Sequence, residues 1–579
     1  MDTATPSHQG CRLDLPDRTV EAQARTLARE RGLTLAVARI LAGRGIVQGD
    51  ALDGFLAPRL DRMHDPFLLP DMETAVDRLA AAIRGGEAIG IFGDYDVDGV
   101  TGSAILTEFL RACGATVYPY LPDRLKEGYG LNALGLERLA GLGVKVVVTV
   151  DCGINARQPA QRAIELEIDL IITDHHEVEP PLPAALAVVN PKVAGSAYPF
   201  VEIAGVGVAF NLLVALRRRL VDTDFFPEGA APDLKGLLDI VALGTIGDMV
   251  PLVDVNRAWV RRGLQQINRR QRPGFRALTR AAGMPVKPLT AGQVAFQLAP
   301  RINALGRLGD PAAGVELLTT PGLGEADRLA DLCEGENRRR RAIEASILEE
   351  AIAQVEGRGG PRRGIVVSSP QWHPGVVGIV ASRLVERYHR PATVLAEMGD
   401  QARGSVRTIA GVDIHRVLTG FAHQLDDFGG HPYAAGLSIR TCRIPALADF
   451  LHDALERGVA PERWQRAVRV DSELGFGEID FRLLEELKGL EPFGVGNPEP
   501  MFLTRGVGLQ RVRRIGDGSH LAMGVTADGF TYPAVWFRQG DRCEELGGGS
   551  AWDLVYQLKL DDWRDQIRIQ LLVREARPR

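Results

Sequence analysis

The sequence predicts an α/β protein of several domains: a parallel-sheet domain, a long helix leading to a second α/β domain, and a small C-terminal β-barrel. Three observations predict it. Strand-like apolar runs alternate with helical stretches from residue 76 to about 250, the pattern of a parallel sheet covered by helices. From about 290 to 355 the reading is mostly helical, with Leu329, Leu332, Ile343, Ile347 and Val355 at near-helical spacing. Beyond residue 461, short β-like runs separated by glycine turns continue to the end, which suits a small barrel.

Taken in order, residues 1–75 are mixed polar and helical without a chemical motif and read as an N-terminal helical cap. The parallel-sheet domain is set at 76–285. Its strands are the runs Ala88 to Phe92, Val144 to Val150, Asp169 to Thr173 and Ala185 to Val189, rich in β-branched residues. A helical connector is expected over 286–360, closed by the linker Glu356-Gly357-Arg358-Gly359-Gly360-Pro361. The second α/β unit, 361–460, opens with Gly364-Ile365-Val366-Val367, and the barrel is set at 461–579.

A chain of 579 residues exceeds what one core holds. Its 45% hydrophobic and 25% charged content is that of a globular protein. No apolar run approaches the roughly 20 residues of a membrane span. The start, Met1-Asp2-Thr3-Ala4, lacks the basic-then-apolar pattern of a signal peptide. Six scattered cysteines without a Cys-x-x-Cys pair argue against a disulfide framework and a structural zinc site. A cytoplasmic protein is expected. The net charge of −6 is unusual for a protein that binds phosphates, but aspartates beside metal cations reverse the local sign. Arginines also cluster, at Arg217 to Arg219, at Arg338 to Arg341, and at Arg511, Arg513 and Arg514. Each cluster alone reads first as a solvated face.

The chemistry lies where strands end. The first strand runs into Gly93-Asp94-Tyr95-Asp96-Val97-Asp98-Gly99, the second into Asp151-Cys152-Gly153, and the third into Asp174-His175-His176. A later helical stretch ends at Gly247-Asp248-Met249-Val250-Pro251-Leu252. In a parallel sheet all strand C-termini lie on one edge, where ligands bind. These acids and imidazoles must therefore converge, and so many carboxylates repel one another unless cations sit between them. Carboxylates with imidazole suit Mn²⁺ or Mg²⁺, and two such ions form the usual clamp for phosphoryl displacement.

Rival readings fail on spacing. Asp94-x-Asp96-x-Asp98-Gly99 imitates a calcium loop, but that loop needs a glutamate at its twelfth position, which is Ile105. His175-His176-Glu177 would need a histidine at Pro180 to be a zinc-peptidase helix. Gly205-Val206-Gly207-Val208-Ala209-Phe210 starts like a dinucleotide fingerprint, but Phe210 replaces the third glycine. Close helix packing is the better reading.

These residues together resemble the motifs of the DHH phosphoesterases: Asp94-Tyr95-Asp96-Val97-Asp98-Gly99, Asp151, Asp174-His175-His176 and Asp248. Gly429-Gly430-His431-Pro432-Tyr433-Ala434-Ala435-Gly436 resembles the signature of the DHH-associated domain. Further segments narrow the resemblance to the RecJ exonucleases. They are Pro122-Asp123-Arg124 with Gly128-Tyr129-Gly130, Pro300-Arg301-Ile302-Asn303, Trp372-His373-Pro374-Gly375, Gly404-Ser405-Val406-Arg407 and Glu491 to Pro498. Leu305 departs from the small residue that relatives often carry before Gly306-Arg307.

The resemblance implies a DHH domain, a DHH-associated domain and an OB-like barrel in the three-domain form. It implies two Mn²⁺ or Mg²⁺ ions on Asp96, Asp98, Asp151, His175 and Asp248, with Asp151 bridging, and Asp94 and His176 in or beside that shell. Asp98, Asp151, His175, His176 and His431 are the implied catalytic set, with His431 reaching the scissile phosphate across the cleft. Arg124, Ser405 and Arg407 would hold a terminal 5′-phosphate, with Tyr129, Gly429 and Gly430 also lining the substrate site. Arg301 and Arg307 would contact the DNA backbone. The implied activity is 5′→3′ hydrolysis of single-stranded DNA in recombination and repair, by a monomer. A single-stranded-DNA-binding protein and a RecQ-type helicase are the partners that fit it. Two rivals are weighed: an oligonucleotide or cyclic-dinucleotide phosphodiesterase of the same superfamily, and an inert DNA-binding scaffold. Trp536, Trp552 and Trp563 are candidates for base stacking, each more readily read as core. With every implied ligand before residue 250, the chemistry is expected to survive removal of residues from about 465.

Overall fold

A computed structural model describes residues 11–124, 126–547, 551–563 and 566–579. The first sheet consists of β1 (Ile89–Gly93), β2 (Val117–Tyr120), β3 (Val146–Val150), β4 (Asp169–Thr173) and β5 (Ala187–Val189), all parallel in the order β2-β1-β3-β4-β5. Its strands are apolar without alternation because helices cover both faces. Sequence pattern alone missed β2, whose Val-Tyr-Pro-Tyr run is short and half exposed. Pro119 is tolerated there because β2 is an edge.

Helices α1 (Val97–Ala112), α2 (Gly205–Asp222), α3 (Leu238–Gly247) and α4 (Asp254–Arg269) pack around this sheet, joined by α5 (Ala299–Leu308). Gly207 lies against Trp259, where a Cβ would come within 2.9 Å of the ring, so the glycine pair of α2 does serve close packing. The expected long helix is α6 (Leu323–Gly357), with 35 residues and hence about 50 Å of length. Ala326, Leu329 and Cys333 near its start belong to the core of the first domain. Ile347, Ala351 and Val355 near its end belong to that of the second. One rigid element thus sets the spacing of two cores.

The second sheet consists of β6 (Ile365–Ser369), β7 (Ala392–Met398), β8 (Gln401–Arg407), β9 (Asp427–His431) and β10 (Ala434–Arg440), in the order β9-β10-β8-β7-β6. Only β6 and β7 pair in parallel. Helix α7 (Val377–Tyr388) packs on β7 and β8. The C-terminal unit is a closed five-stranded barrel of β11 (Phe502–Ile515), β12 (His520–Ala527), β13 (Phe530–Trp536), β14 (Trp552–Trp563) and β15 (Gln566–Pro578). The order is β11-β12-β13-β15-β14, with β14 returning to β11. Its strands reach 14 residues, longer than the short runs expected.

The N-terminal helices Glu21–Arg31, Leu35–Gly43 and Gly49–Leu56 do not form a core of their own. Leu27, Val37, Ile40, Leu41, Leu52 and Phe55 share one with Phe476, Leu483, Phe502 and Tyr556 of the C-terminal unit. The N-terminal segment Arg12–Asp14 also pairs as a strand with Ala467–Arg469, at the start of the C-terminal unit. The tip of the Glu491 to Pro498 loop rests on the first domain. There Leu252 N–H donates to the Val495 carbonyl at 2.7 Å, and a Cβ on Gly494 would meet Leu252 at 2.6 Å.

Candidate metal centre and substrate cleft

Three strands of the first sheet, β1, β3 and β4, each deliver an acid by running one residue further. Asp94 N–H donates to the Val150 carbonyl, Asp151 N–H to Thr173 and Asp174 N–H to Val189. The three carboxylates therefore step along the C-terminal edge of β1, β3 and β4. Asp96 caps α1, accepting from the amides of Asp98 and Gly99 at 2.9 and 3.2 Å, a favoured place for an aspartate. Asp98, one residue inside the helix, is fully buried. It accepts from Gly205 N–H at 2.6 Å and Val206 N–H at 2.8 Å, at the start of α2.

His175 Nε2 lies 3.1 Å from Asp151 Oδ1, 3.7 Å from Asp248 Oδ2 and 3.8 Å from Asp98 Oδ2. His176 is held from behind by Asp174, Nδ1 to Oδ1 at 2.7 Å, while its Nε2 faces the Tyr129 hydroxyl at 3.3 Å. Asp174 also accepts from the amides of Ile154, His175 and His176. It orients the histidines, and its two oxygens are used in doing so.

The electrostatics describe a site short of cations. Burial, then repulsion from Asp96, pushes Asp98 up to about 7. Burial and neighbouring carboxylates raise Asp94, Asp151 and Asp248 well above the usual range. Burial, then the charge of His176, holds His175 down to about 3. Burial is the largest influence on Asp174 and His176 and works against charge on both, but their mutual hydrogen bond together with the attraction of neighbouring opposite charges outweighs it, so Asp174 is lowered and His176 raised. Among the described residues, Asp94 Oδ1, Asp151 Oδ1 and His175 Nε2 are buried without a hydrogen-bond partner, a costly state for polar atoms. Three overlapping trios, Asp94/Asp96/Asp151, Asp98/His175/Asp248 and Asp151/His175/His176, each bring their ligand atoms within 4.8 Å of one another. Orphaned acceptors in oxygen-rich trios fit hard divalent ions, with Asp151 common to two of them.

Across the cleft, β9 ends at His431, whose ring stacks parallel to that of His176 at 6.4 Å and 15°. Gly430 has φ of 144°, and a Cβ there would strike the Ala434 carbonyl at 2.4 Å. Only glycine makes this turn. Beside it, Arg407 donates to Ser405 Oγ at 2.6 Å, and the start of α7 approaches both residues at Gly378. Arg124 lies over the Tyr95 ring at 5.1 Å. Arg307 donates to the Gly375 carbonyl at 2.8 Å. Burial, then the charges of Arg124 and Arg340, lowers Arg307 to about 10, and burial with Arg124 lowers Arg407 too. Arg124, Arg307 and Arg407 thus form one crowded cationic group that calls for an anion.

Arg301 stands apart. It is buried, pairs with Glu334 at 2.7 Å and donates to the Gln297 carbonyl. Trp536 and Trp552 are 5% and 3% exposed and belong to the barrel core; the side chain of Trp563 lies outside the described residues. Arg217 bonds to the Pro232 carbonyl and Arg219 pairs with Glu73 and Asp77, which leaves that cluster structural. Sequence reasoning missed Asn303, whose Oδ1 accepts from Val97 N–H at the start of α1 at 2.7 Å. It also missed Gly306, where a Cβ would strike the Tyr95 carbonyl at 2.2 Å. Both serve the carboxylate loop from a motif quoted for its arginines.

Comparison with known proteins agrees with this arrangement. Residues 88–245 match the DHH family, N-terminal domain, 362–457 the DHHA1 domain, and 470–575 the RecJ OB domain. The single-stranded-DNA-specific exonuclease RecJ of Bacillus subtilis is 37% identical over 562 residues, covering 96% of this chain and 70% of that protein. The protein of the same description from Escherichia coli is 34% identical over 558 residues, covering 92% and 94%. The crystal structure of RecJ with Mn²⁺ from Thermus thermophilus superposes with a TM-score of 0.83 at 31% identity, over 98% of this chain and 80% of that one. The same protein with Mg²⁺ gives 0.77 at 30%, over 98% and 78%. With three family models matched along its length and relatives 34–37% identical over more than nine-tenths of it, the chain belongs to the RecJ family of DHH phosphoesterases.

Proposed function

We propose that this chain is a metal-dependent exonuclease that hydrolyses single-stranded DNA from its 5′ end, with a role in recombination and repair. The observation that carries the reading is the set of orphaned buried acceptors on Asp94, Asp151 and His175, facing His431 across a cleft. Asp96, Asp98, Asp151, His175 and Asp248 would hold two divalent ions, Mn²⁺ or Mg²⁺, with Asp94 beside them. Bound there, the ions supply a nucleophile at neutral pH and neutralise charge on the scissile phosphate.

The remaining work falls to the protein. Asp174 fixes the ring of His176 and keeps it charged to higher pH, so that it presents positive charge to the phosphate. His431 donates to a phosphate oxygen from the opposite wall. Arg124, Arg307, Arg407 and Ser405 bind the terminal 5′-phosphate, guanidinium forks being suited to it, and so set which end enters. On this reading Arg307 belongs with the end pocket rather than with the DNA backbone, its crowding with Arg124 supporting the change. Arg301, paired with Glu334, links α5 to α6. Tyr129, 58% exposed beside His176, and the open turn at Gly429 and Gly430 line the path of the strand.

A 5′-labelled long single strand with Mn²⁺ tests the reading, with duplex and RNA of the same sequence alongside. Release of labelled nucleotide from the single strand supports it. Cleavage confined to dinucleotides would turn the reading to the oligonucleotide or cyclic-dinucleotide phosphodiesterase, and binding without cleavage to the inert scaffold. From the family we further propose a monomer in the cytoplasm that works with a single-stranded-DNA-binding protein and a RecQ-type helicase. Among the described residues, no helix is long and apolar enough to cross a membrane.

A further inference from the structure

Three of the groups in the metal centre depend on two short segments. In the first, the Ile203 carbonyl accepts from the His175 ring, and the amides of Gly205 and Val206 donate to Asp98. The second runs from Asp248 to Pro251 and supplies Asp248 itself. Helices α2 and α3 separate them in sequence, and among the described residues no backbone hydrogen bond joins one to the other.

One side chain bonds to both. Asn256, in the first turn of α4, is fully buried. Its Nδ2 donates to the Glu202 carbonyl at 2.7 Å and to the Pro251 carbonyl at 3.0 Å. Both amide hydrogens are used, one on each segment. Its Oδ1 is buried without a hydrogen-bond partner among the described residues. A residue serving packing alone would be better apolar, since a buried amide left half satisfied costs free energy. The two carbonyls account for the residue type. The outer side of the same turn is braced by Leu252 N–H on the Val495 carbonyl, so the turn is held from inside and outside.

We infer that Asn256 is a positioning residue. It ties the segment that holds Asp98 and His175 to the segment that carries Asp248, and so sets the affinity of the centre for its metal pair. The inference rests on the metal-dependent reading above. It concerns the geometry of the protein's own segments rather than a contact with substrate.

The test is Mn²⁺ binding by the full chain, measured calorimetrically, with melting of the metal-free protein recorded beside it. Asn256→Leu keeps the approximate volume and removes both donors, and Asn256→Asp keeps the shape. Asn211→Leu is the burial-matched control: Asn211 is also fully buried, but its amide donates to the Gly207 carbonyl within α2 and accepts from the Tyr198 hydroxyl, and neither partner lies in the two segments. Loss of such a supporting hydrogen bond weakens metal binding roughly 10- to 100-fold. That weakening is expected in both Asn256 variants, with affinity for single-stranded DNA in the absence of metal unchanged. Mn²⁺ affinity within about threefold of wild type would overturn the proposal. So would equal weakening in Asn211→Leu, or failure of both Asn256 variants to fold while the control folds. If the wild-type chain bound no Mn²⁺, the metal reading itself would fall, and this inference with it.

Discussion

Asp151 has φ of 61°, a left-handed conformation uncommon outside glycine and tolerated best by aspartate and asparagine. The bend follows from continuing β3 by one bond and then turning the carboxylate toward His175. Because Asp151 is common to two of the ligand trios, Asp151→Ala should abolish hydrolysis and lower Mn²⁺ occupancy at both positions while circular dichroism stays native. Wild-type turnover with excess Mn²⁺ would remove it from the site. Arg407→Ala should reduce the preference for 5′-phosphorylated over 5′-hydroxyl ends, because the terminal phosphate carries charge that internal diesters lack; an unchanged ratio of rates would place the end pocket elsewhere. The raised carboxylates also fix a pH dependence. A carboxyl raised to about 7, as Asp98 is, favours the fold below its ordinary pKa and loses that contribution as pH rises through about 7. The metal-free chain should therefore lose stability over that window, and the gain in Tm on adding Mn²⁺ should be larger at about pH 8 than at about pH 5. A gain independent of pH would contradict the assignment. The acids were legible in the sequence because strand ends in a parallel sheet converge by rule. The supporting roles of Gly205, Asn303 and Asn256 were not, because each depends on which backbone another element brings within 3 Å.

At the level of elements, the parallel sheet and the 35-residue helix α6 could be read from periodicity, since both bury apolar residues at a fixed spacing. The edge strand β2 could not, because an edge needs no continuous apolar run. The tryptophans of the barrel could be read only as two alternatives, and burial of Trp536 and Trp552 settles those two as core. The start of α2 shows how an element carries function beyond its packing. Its first amides point at Asp98, and the helix dipole adds to their attraction for an anion. The approach is close enough that a Cβ on Gly205 would lie 2.7 Å from the Cβ of Asp151 and 3.0 Å from Asp98 Oδ2. Gly205→Ala should therefore move the helix start off both carboxylates, lowering kcat at least tenfold, about 1.4 kcal/mol in the barrier, and weakening Mn²⁺ binding. The comparable change at Gly524 in the barrel, where a Cβ meets nothing closer than 3.7 Å, should do neither. Equal effects at the two positions would mean that the packing of α2 on the metal centre is incidental.

Across the whole molecule, the two ends of the chain fold as one body. The N-terminal helices share a core with the barrel, and the loop at Gly494 and Gly496 leans on Pro251 and Leu252, just beyond Asp248. Removing residues from about 465 would strip the apolar partners from Leu27, Val37, Ile40 and Phe55 and the brace from the Asp248 turn. The truncated chain is therefore expected to aggregate, contrary to the expectation from sequence that chemistry would survive the cut. The barrel's part in binding has to be tested on its surface. Arg511, Arg513 and Arg514 are exposed where β11 is interrupted by a bulge between Gln510 and Arg513, and Arg511 itself has φ of 52°. A bulge turns successive side chains toward the same side, which concentrates charge without touching the core. Replacing all three by alanine should raise KM for long single strands and leave kcat on very short ones unchanged. Each phosphate contact on a single strand contributes about −0.7 to the slope of log affinity against log salt. If all three arginines touch phosphates, the slope should become shallower by about 2. The measurement is KM for a long strand across a salt series, wild type beside the triple variant, with melting to show that the barrel is intact. Should KM and its salt slope both stay at the wild-type value, single-stranded DNA does not pass over this face of the barrel.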